Sequence, residues 1–344
     1  MNRPKILIIY TGGTIGMIQD AKTMALIPFD FSHIYDQVPR LSFYDIDIET
    51  FAFDNPIDSS DMHPQDWKQI AEKIQIHYHN YDGFVILHGT DTMAYTASAL
   101  SFMFENLSKP IILTGSQLPL GIPRTDGRNN IINAVEMAAA KHQDGSPMIP
   151  EVCICFENQL YRGNRTHKNN AEEFDAFTSP NYPALANVGV SIKYNHACIA
   201  EMPKAETQLR TNMDTHIAIL KLYPGIMPPI VQSILQTETL HGVILETYGA
   251  GNSCKSPWFL ELLSDAVRRG IFVMSVTQCK GGGKVNAGKY ESSFLLKNIG
   301  IVGGYDINTE SAVTKMMYIL GNYPQHEDIK MLLGSSLRGE LTIE

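Results

Sequence analysis

Three short apolar runs, each leading into a glycine followed by a hydroxyl side chain, constrain this chain more than any other feature. Lys5–Tyr10 leads into Thr11-Gly12-Gly13-Thr14. Phe84–Leu87 leads into His88-Gly89-Thr90-Asp91-Thr92, and Ile111–Leu113 into Thr114-Gly115-Ser116-Gln117. Short β-branched runs stopped by glycine read as strands buried on both faces of a parallel sheet. In an open α/β sheet, ligands bind just beyond the carboxyl ends of the strands. The three tips are therefore expected to converge on one crevice, the layout of a hydroxyl nucleophile with polar support.

At 344 residues the chain exceeds a typical single core, which predicts two domains. In the first half, strands are expected at Lys5–Tyr10, Ile48–Phe53, Phe84–Leu87, Ile111–Leu113 and Val152–Phe156. Helices are expected from His63-Pro64 onward, over Thr92–Leu107 and over Asn129–Lys141. The stretch Tyr182–Asn212 has no sustained period. A second α/β unit follows, with strands at His216–Leu222, Gly242–Glu246 and Ile271–Val276. Its helices run from a Ser256 cap to Gly270, and over Thr309–Leu320 with Gly321 as the stop. The expected architecture is two α/β domains with open, mostly parallel sheets, the N-terminal one larger. The expected division is residues 1–195, a linker at 196–213, and residues 214–344.

A net charge of -9 without a Lys/Arg run argues against nucleic acid and against anionic membrane surfaces. No stretch approaches the roughly 18 apolar residues that span a bilayer, and the six-residue run near the start is short for a secretory signal. Five sparsely spaced cysteines suit a reducing compartment, so a cytoplasmic location is expected. Gly12, Gly13 and Gly16 do not match the dinucleotide fingerprint, which needs glycines at i, i+2 and i+5. Cys153-Ile154-Cys155 would place two thiols on one strand face, too few to close a zinc site, and His77 and His79 suit a helix end. No metal ligand set and no cofactor is expected, and the partner is a small-molecule substrate.

Thr14, after two glycines at the first tip, reads either as a helix cap or as a nucleophile, and a threonine nucleophile needs a base. Thr90, Asp91 and Thr92 also suit a helix start, yet capping accounts for only one of the three. Arg162–Asn170 reads as a solvated basic loop, or as the source of a lysine, Lys168, set beside an aspartate for proton transfer. Asp58-Ser59-Ser60-Asp61 suits a helix start or a zwitterionic ligand.

Taken together, Thr11-Gly12-Gly13-Thr14-Ile15, Asp58-Ser59-Ser60-Asp61-Met62 and His88-Gly89-Thr90-Asp91-Thr92-Met93 resemble the bacterial-type asparaginase/glutaminase family. Tyr161–Arg165 and the ending Leu337-Arg338-Gly339-Glu340-Leu341 are similar to its cytoplasmic, type I branch. The resemblance implies that Thr14 attacks the side-chain amide of asparagine to form an acyl-enzyme, releasing ammonia, and that water then releases aspartate. It implies proton handling by Thr90, Asp91 and Lys168. Substrate binding falls to Asp58, Ser59, Ser60, Thr90, Asp91 and Ser116. It further implies a homotetramer built as a dimer of dimers. A glutamine-preferring relative and a non-catalytic amino-acid sensor are the alternative readings. Leu26 stands where the family carries a lid tyrosine, with Tyr290 a candidate replacement. His167 precedes the lysine where relatives often have threonine. Glu246 stands where some cytoplasmic relatives carry arginine, and some relatives bind a second asparagine near there, so that mode of activation is not expected here.

Overall fold

The computed structural model describes residues 3–19, 26–28, 34–285 and 291–343. It divides into two compact units, Met1–Arg210 and Thr211–Glu344. The first unit is organised by strands β1 (Lys5–Tyr10), β2 (Asp47–Ala52), β3 (Gly83–Leu87), β4 (Ile111–Thr114) and β5 (Val152–Phe156). They lie side by side in the order β2-β1-β3-β4-β5, all parallel. Three antiparallel strands, β6 (Gln159–Arg162), β7 (Ala186–Val188) and β8 (Ile192–Tyr194), extend the sheet beyond β5.

Helices α1 (Pro64–His77), α2 (Met93–Met103) and α3 (Gly127–Ala139) cover the sheet. Every residue of β3 and all of β1 after Lys5 are buried, which is why these strands are uninterrupted apolar runs rather than alternating ones. Ile6, Ile8 and Tyr10 share a core with Val85, Leu87, Ile112, Cys153 and Cys155, packed against Ile131, Ile132 and Val135 of α3. The two cysteines do face one way, and both are free and buried. At Thr96 and Trp67, α2 and α1 are joined by an indole N–H donating to the threonine hydroxyl (3.0 Å).

Strand order reverses between β1 and β3: the chain leaves β1 for β2 on one side and returns to β3 on the other. This is the switch point of a doubly wound sheet, where the loops beyond the strands diverge and leave a crevice. The tips that open this crevice are Thr11–Thr14 and His88–Asp91.

Some expectations need adjustment. The helix expected to reach Leu107 stops at Met103, because Phe104 and Glu105 turn into a two-stranded antiparallel ribbon with Gln208 and Leu209. The Tyr182–Asn212 stretch, without a sustained period, contributes the short strands β7 and β8. Most of 196–213 is also held to the first unit. Glu151 accepts from the Ala200 N–H (2.5 Å) and pairs with Arg162, while Arg162 donates to the Cys198 carbonyl (3.0 Å). The contact boundary falls at Arg210/Thr211, inside the span read as linker.

The second unit holds four parallel strands in sequential order, β9 (Ile217–Lys221), β10 (Gly242–Thr247), β11 (Phe272–Thr277) and β12 (Val302–Gly303). Leu220, Val243, Leu245 and Val273 pack against Val231 and Leu235 of α4 (Pro228–Leu235) and Phe259 and Leu263 of α5 (Pro257–Arg268). Helices α6 (Glu291–Ile299), α7 (Thr309–Asn322) and α8 (His326–Leu333) complete it. Gly321 does not stop α7. It lies within the helix, where a Cβ would sit 2.8 Å from the Asn212 carbonyl, so glycine serves close approach there. Ser256 does precede α5, but its carbonyl rather than its hydroxyl binds the first turn, accepting from Phe259 (3.0 Å). No described helix is long and apolar enough to cross a membrane.

Candidate active site

The two tips at the switch point touch through glycine. Gly12 and Gly13 have φ of +143° and +87°, backbone conformations that side-chain-bearing residues rarely adopt. A Cβ on Gly13 would lie 2.5 Å from both the Cα and the N of Gly89. Only with hydrogen at that position can the loop after β1 rest on the loop after β3. The next residue, Thr14, opens the single turn Thr14–Gly16 and is exposed. That turn begins at Gly13 with no side-chain cap, so capping does not explain the threonine. The buried Tyr10 hydroxyl reaches the Gly13 carbonyl (3.4 Å), bracing the loop from below.

Beyond β3, the Lys168 ammonium donates to the Thr90 hydroxyl oxygen (2.8 Å) and to an Asp91 carboxylate oxygen (2.7 Å). Lys168 comes from a two-residue strand, His167–Lys168, paired antiparallel with Phe177–Thr178. The basic run Arg162–Asn170 is therefore mostly not a solvated loop: residues 162–167 are buried, and Lys168 is only 18% exposed at its side chain. Capping fails for the second tip as well. Thr92 occupies the cap position of α2 without a side-chain cap bond, and its hydroxyl donates instead to the Ser59 carbonyl (2.6 Å).

The Ser59 bond joins a third segment to the tips. Gly89 packs so closely on Ser59 that a Cβ would fall 2.4 Å from the serine Oγ. Gly12 packs on the Ile57 backbone, and the Ile57 N–H donates to the Thr11 carbonyl (2.8 Å). Asp58 and Ser60 are exposed beside this junction. The Ser60 N–H and hydroxyl both donate to one Asp58 oxygen (2.9 Å each), holding that carboxyl below the usual range.

Thr14, Thr90, Asp91, Asp58, Ser59 and Ser60 thus belong to three segments tied to one another by contacts around the switch point, and Lys168 reaches Thr90 and Asp91 from a fourth. Ser116 is buried, and its hydroxyl donates to the Leu118 carbonyl (2.7 Å), bracing the loop after β4. Leu26 pairs opposite Gln19 in the ribbon Met17–Gln19/Leu26–Pro28. Tyr290 lies outside the described residues. Glu246 ends near the tip of β10, accepting from the Thr309 hydroxyl (2.7 Å) and pairing with Lys221 (3.1 Å).

One supporting residue escaped the sequence reading. His88 is fully buried, with Nδ1 2.6 Å from the Gly89 carbonyl and Nε2 2.9 Å from the Thr96 hydroxyl. Thr96 accepts from the Trp67 indole, so its proton is available to Nε2, and the consistent tautomer carries hydrogen on Nδ1. Burial pushes the imidazole down to about 4, so it is neutral at pH 7. The chain Trp67–Thr96–His88 fixes the peptide that carries Thr90. Its only sequence signal is a histidine next to a tip glycine.

The sequence profile of the asparaginase N-terminal domain matches residues 5–200, and that of the glutaminase/asparaginase C-terminal domain matches residues 216–333. The chain is 43% identical to L-asparaginase 1 of Escherichia coli K12, covering 99% of each protein. It is 39% identical to the 60 kDa lysophospholipase of Mus musculus, covering 98% of this chain and 63% of that protein. Among solved structures it matches L-asparaginase I of Vibrio cholerae O1 with a TM-score of 0.89 at 40% identity, covering 99% of this chain and 100% of that one. The L-asparaginase of Thermococcus kodakarensis matches with the same TM-score and coverage at 30% identity. With both domains matched in order along nearly the whole chain, this protein belongs to the asparaginase/glutaminase family.

Proposed function

We propose that the chain hydrolyses L-asparagine to L-aspartate and ammonia through a threonine acyl-enzyme. The observation that carries this reading is the Lys168 ammonium bridging Thr90 and Asp91 on a tip where Gly89 packs against Gly13, the residue before Thr14. In the first half-reaction, Thr14 Oγ bonds to the side-chain amide carbon and the carbon–nitrogen bond breaks. The Thr14 proton travels to the departing nitrogen, which leaves as ammonia. In the second, water adds to the ester carbon and the Thr14 C–O bond breaks, restoring the hydroxyl.

Thr90 accepts from Lys168, so its own proton can be directed to the reacting groups, and Asp91 holds the lysine in place. Backbone N–H groups at the glycine tips are the donors at hand for the oxyanion, each worth about 3 kcal/mol in such a transition state. Asp58, Ser59, Ser60 and Asp91 supply the acceptors and donors for the α-amino and α-carboxylate groups. Ser116 is included through its loop rather than through its hydroxyl. Thr14, Thr90, Asp91 and Lys168 are the catalytic set, with no metal or organic cofactor in the reaction. The similarity to L-asparaginase 1 of Escherichia coli supports the choice of asparagine. A cytoplasmic homotetramer, arranged as a dimer of dimers, is part of the same proposal.

Ammonia release from asparagine and glutamine, measured side by side, tests the reading. The larger kcat/KM is expected for asparagine, although one methylene separates the two amides by only about 1–3 kcal/mol. A larger value for glutamine would favour the glutaminase reading. Tight calorimetric binding of asparagine with no ammonia would favour a sensor.

A further inference from the structure

Among the described residues of the second unit, Asp214, His216 and His241 bring their ligand atoms to within 4.8 Å of one another. The sheet topology causes this. His216 and His241 immediately precede β9 and β10, neighbouring parallel strands whose register begins at Ile217↔Gly242. The His241 N–H donates to the His216 carbonyl (2.7 Å), and the two rings stand side by side with centroids 4.9 Å apart. Asp214 is anchored by its own N–H, which donates to the Met317 carbonyl of α7 (2.9 Å). One of its oxygens lies 2.7 Å from His216 Nδ1 and the other 2.6 Å from His241 Nδ1. The carboxylate side chain is 17% exposed, whereas the imidazoles are 52% and 54% exposed. A groove of about 390 Å³, lined in part by His216, Thr237 and Leu240, opens beside them.

A structural clamp is the simpler use of such a triad, but ion pairs to half-exposed partners add little stability, about 0–1 kcal/mol. Two imidazoles presenting the same ring atom to one anchored carboxylate, with solvent on their outer faces, is a donor set suited to a metal. Imidazole and carboxylate together favour zinc, copper(II) and nickel(II). Bonds of roughly 2.0–2.2 Å to a tetrahedral ion put its ligand atoms roughly 3.3 Å apart. The carboxylate–imidazole separations of 2.7 and 2.6 Å reach that by relaxing outward by roughly 0.6–0.7 Å. We propose that Asp214, His216 and His241 form a binding site for one divalent transition metal ion, held by the two Nδ1 atoms and a carboxylate oxygen, with water completing the shell. On binding, the metal takes the place of the proton that each Nδ1 shares with Asp214, and Nε2 carries the ring's hydrogen. The site draws on no residue assigned to hydrolysis.

The test is calorimetric titration of chelator-treated, full-length protein with zinc chloride. One ion per chain is expected, and cobalt(II) in its place should give the visible absorption of a four-coordinate centre. His216→Gln and His241→Gln should each weaken zinc binding by at least about tenfold. His142→Gln, whose ring lies near His196 in the first unit, should leave it unchanged. Circular dichroism melts establish that each variant is folded. Should a variant not fold, zinc protection of His216 and His241 against diethyl pyrocarbonate in the unaltered protein decides the matter. No stoichiometric binding, wild-type affinity in both folded histidine variants, or no protection would overturn the proposal.

Discussion

Replacing Lys168 with methionine separates catalysis from stability at one position. The substitution keeps the length of the stem and removes two charge-assisted hydrogen bonds, of 2.8 Å to Thr90 and 2.7 Å to Asp91. Its effect on folding should be small. Asp91 is 61% exposed, so the ion pair is solvent-screened, and pairs of that kind contribute about 0.2–1 kcal/mol. The lysine stem is retained in kind, which keeps the apolar packing. For turnover, positioned proton-transfer groups typically contribute about 10²–10⁴-fold, equivalent to about 3–5 kcal/mol of barrier. Lys168→Met should therefore lower kcat for asparagine by about two to four decades while the urea midpoint barely moves. Lys168→Arg should not restore the rate, because a planar guanidinium cannot place one compact charge between a hydroxyl and a carboxylate at those distances. Steady-state ammonia release and urea denaturation measure the two quantities. A kcat within a few-fold of wild type, or a loss of activity matched by loss of the fold, would refute the assignment of Lys168 to proton handling.

The buried His88 makes stability fall in mild acid. Its folded pKa of about 4 lies below the ordinary 6.5, so between those values the unfolded chain takes up a proton that the folded protein refuses. Stability should drop by up to about 3 kcal/mol as pH falls from 6.5 to 4, and His88→Gln should flatten that slope in urea melts across the range. Gly13→Ala should cost about 1–3 kcal/mol from the strained backbone alone. Because its Cβ would meet Gly89 at 2.5 Å, asparaginase activity should fall further than calorimetric stability does. Lys315 and Glu340 form a fully buried pair 2.7 Å apart in the second unit. Lys315→Met strands the carboxylate and should cost about 3–5 kcal/mol by denaturant titration, much of it recovered by adding Glu340→Gln.

Much of this architecture was readable because the central strands are buried on both faces, so that Ile6–Tyr10, Phe84–Leu87 and Ile111–Leu113 had to be continuous apolar runs. The polar tips stood out because packing explains a Gly-Gly-Thr or a Gly-Thr-Asp poorly. Long-range choices were opaque. Phe104 leaves a good helical pattern because its partner, Leu209, lies 105 residues away in the sequence. Gly321 looks like a helix stop, yet it is inside α7 because Asn212 presses on it. Ser116 has the residue type and the strand-tip position of a ligand donor, but the Leu118 carbonyl claims its hydroxyl. Nothing local in the sequence announces that His88 is held between Gly89 and Thr96, or that His216 and His241 become neighbours. Those meetings are products of strand register and helix packing.

The most direct measurement is mass spectrometry of protein quenched in acid during asparagine turnover, paired with ammonia release by Thr14→Ala. An aspartyl ester mapped to the peptide holding Thr14, together with a folded alanine variant that releases no ammonia, is the predicted result. An adduct on another residue, or an alanine variant that turns over at the native rate, would contradict the account.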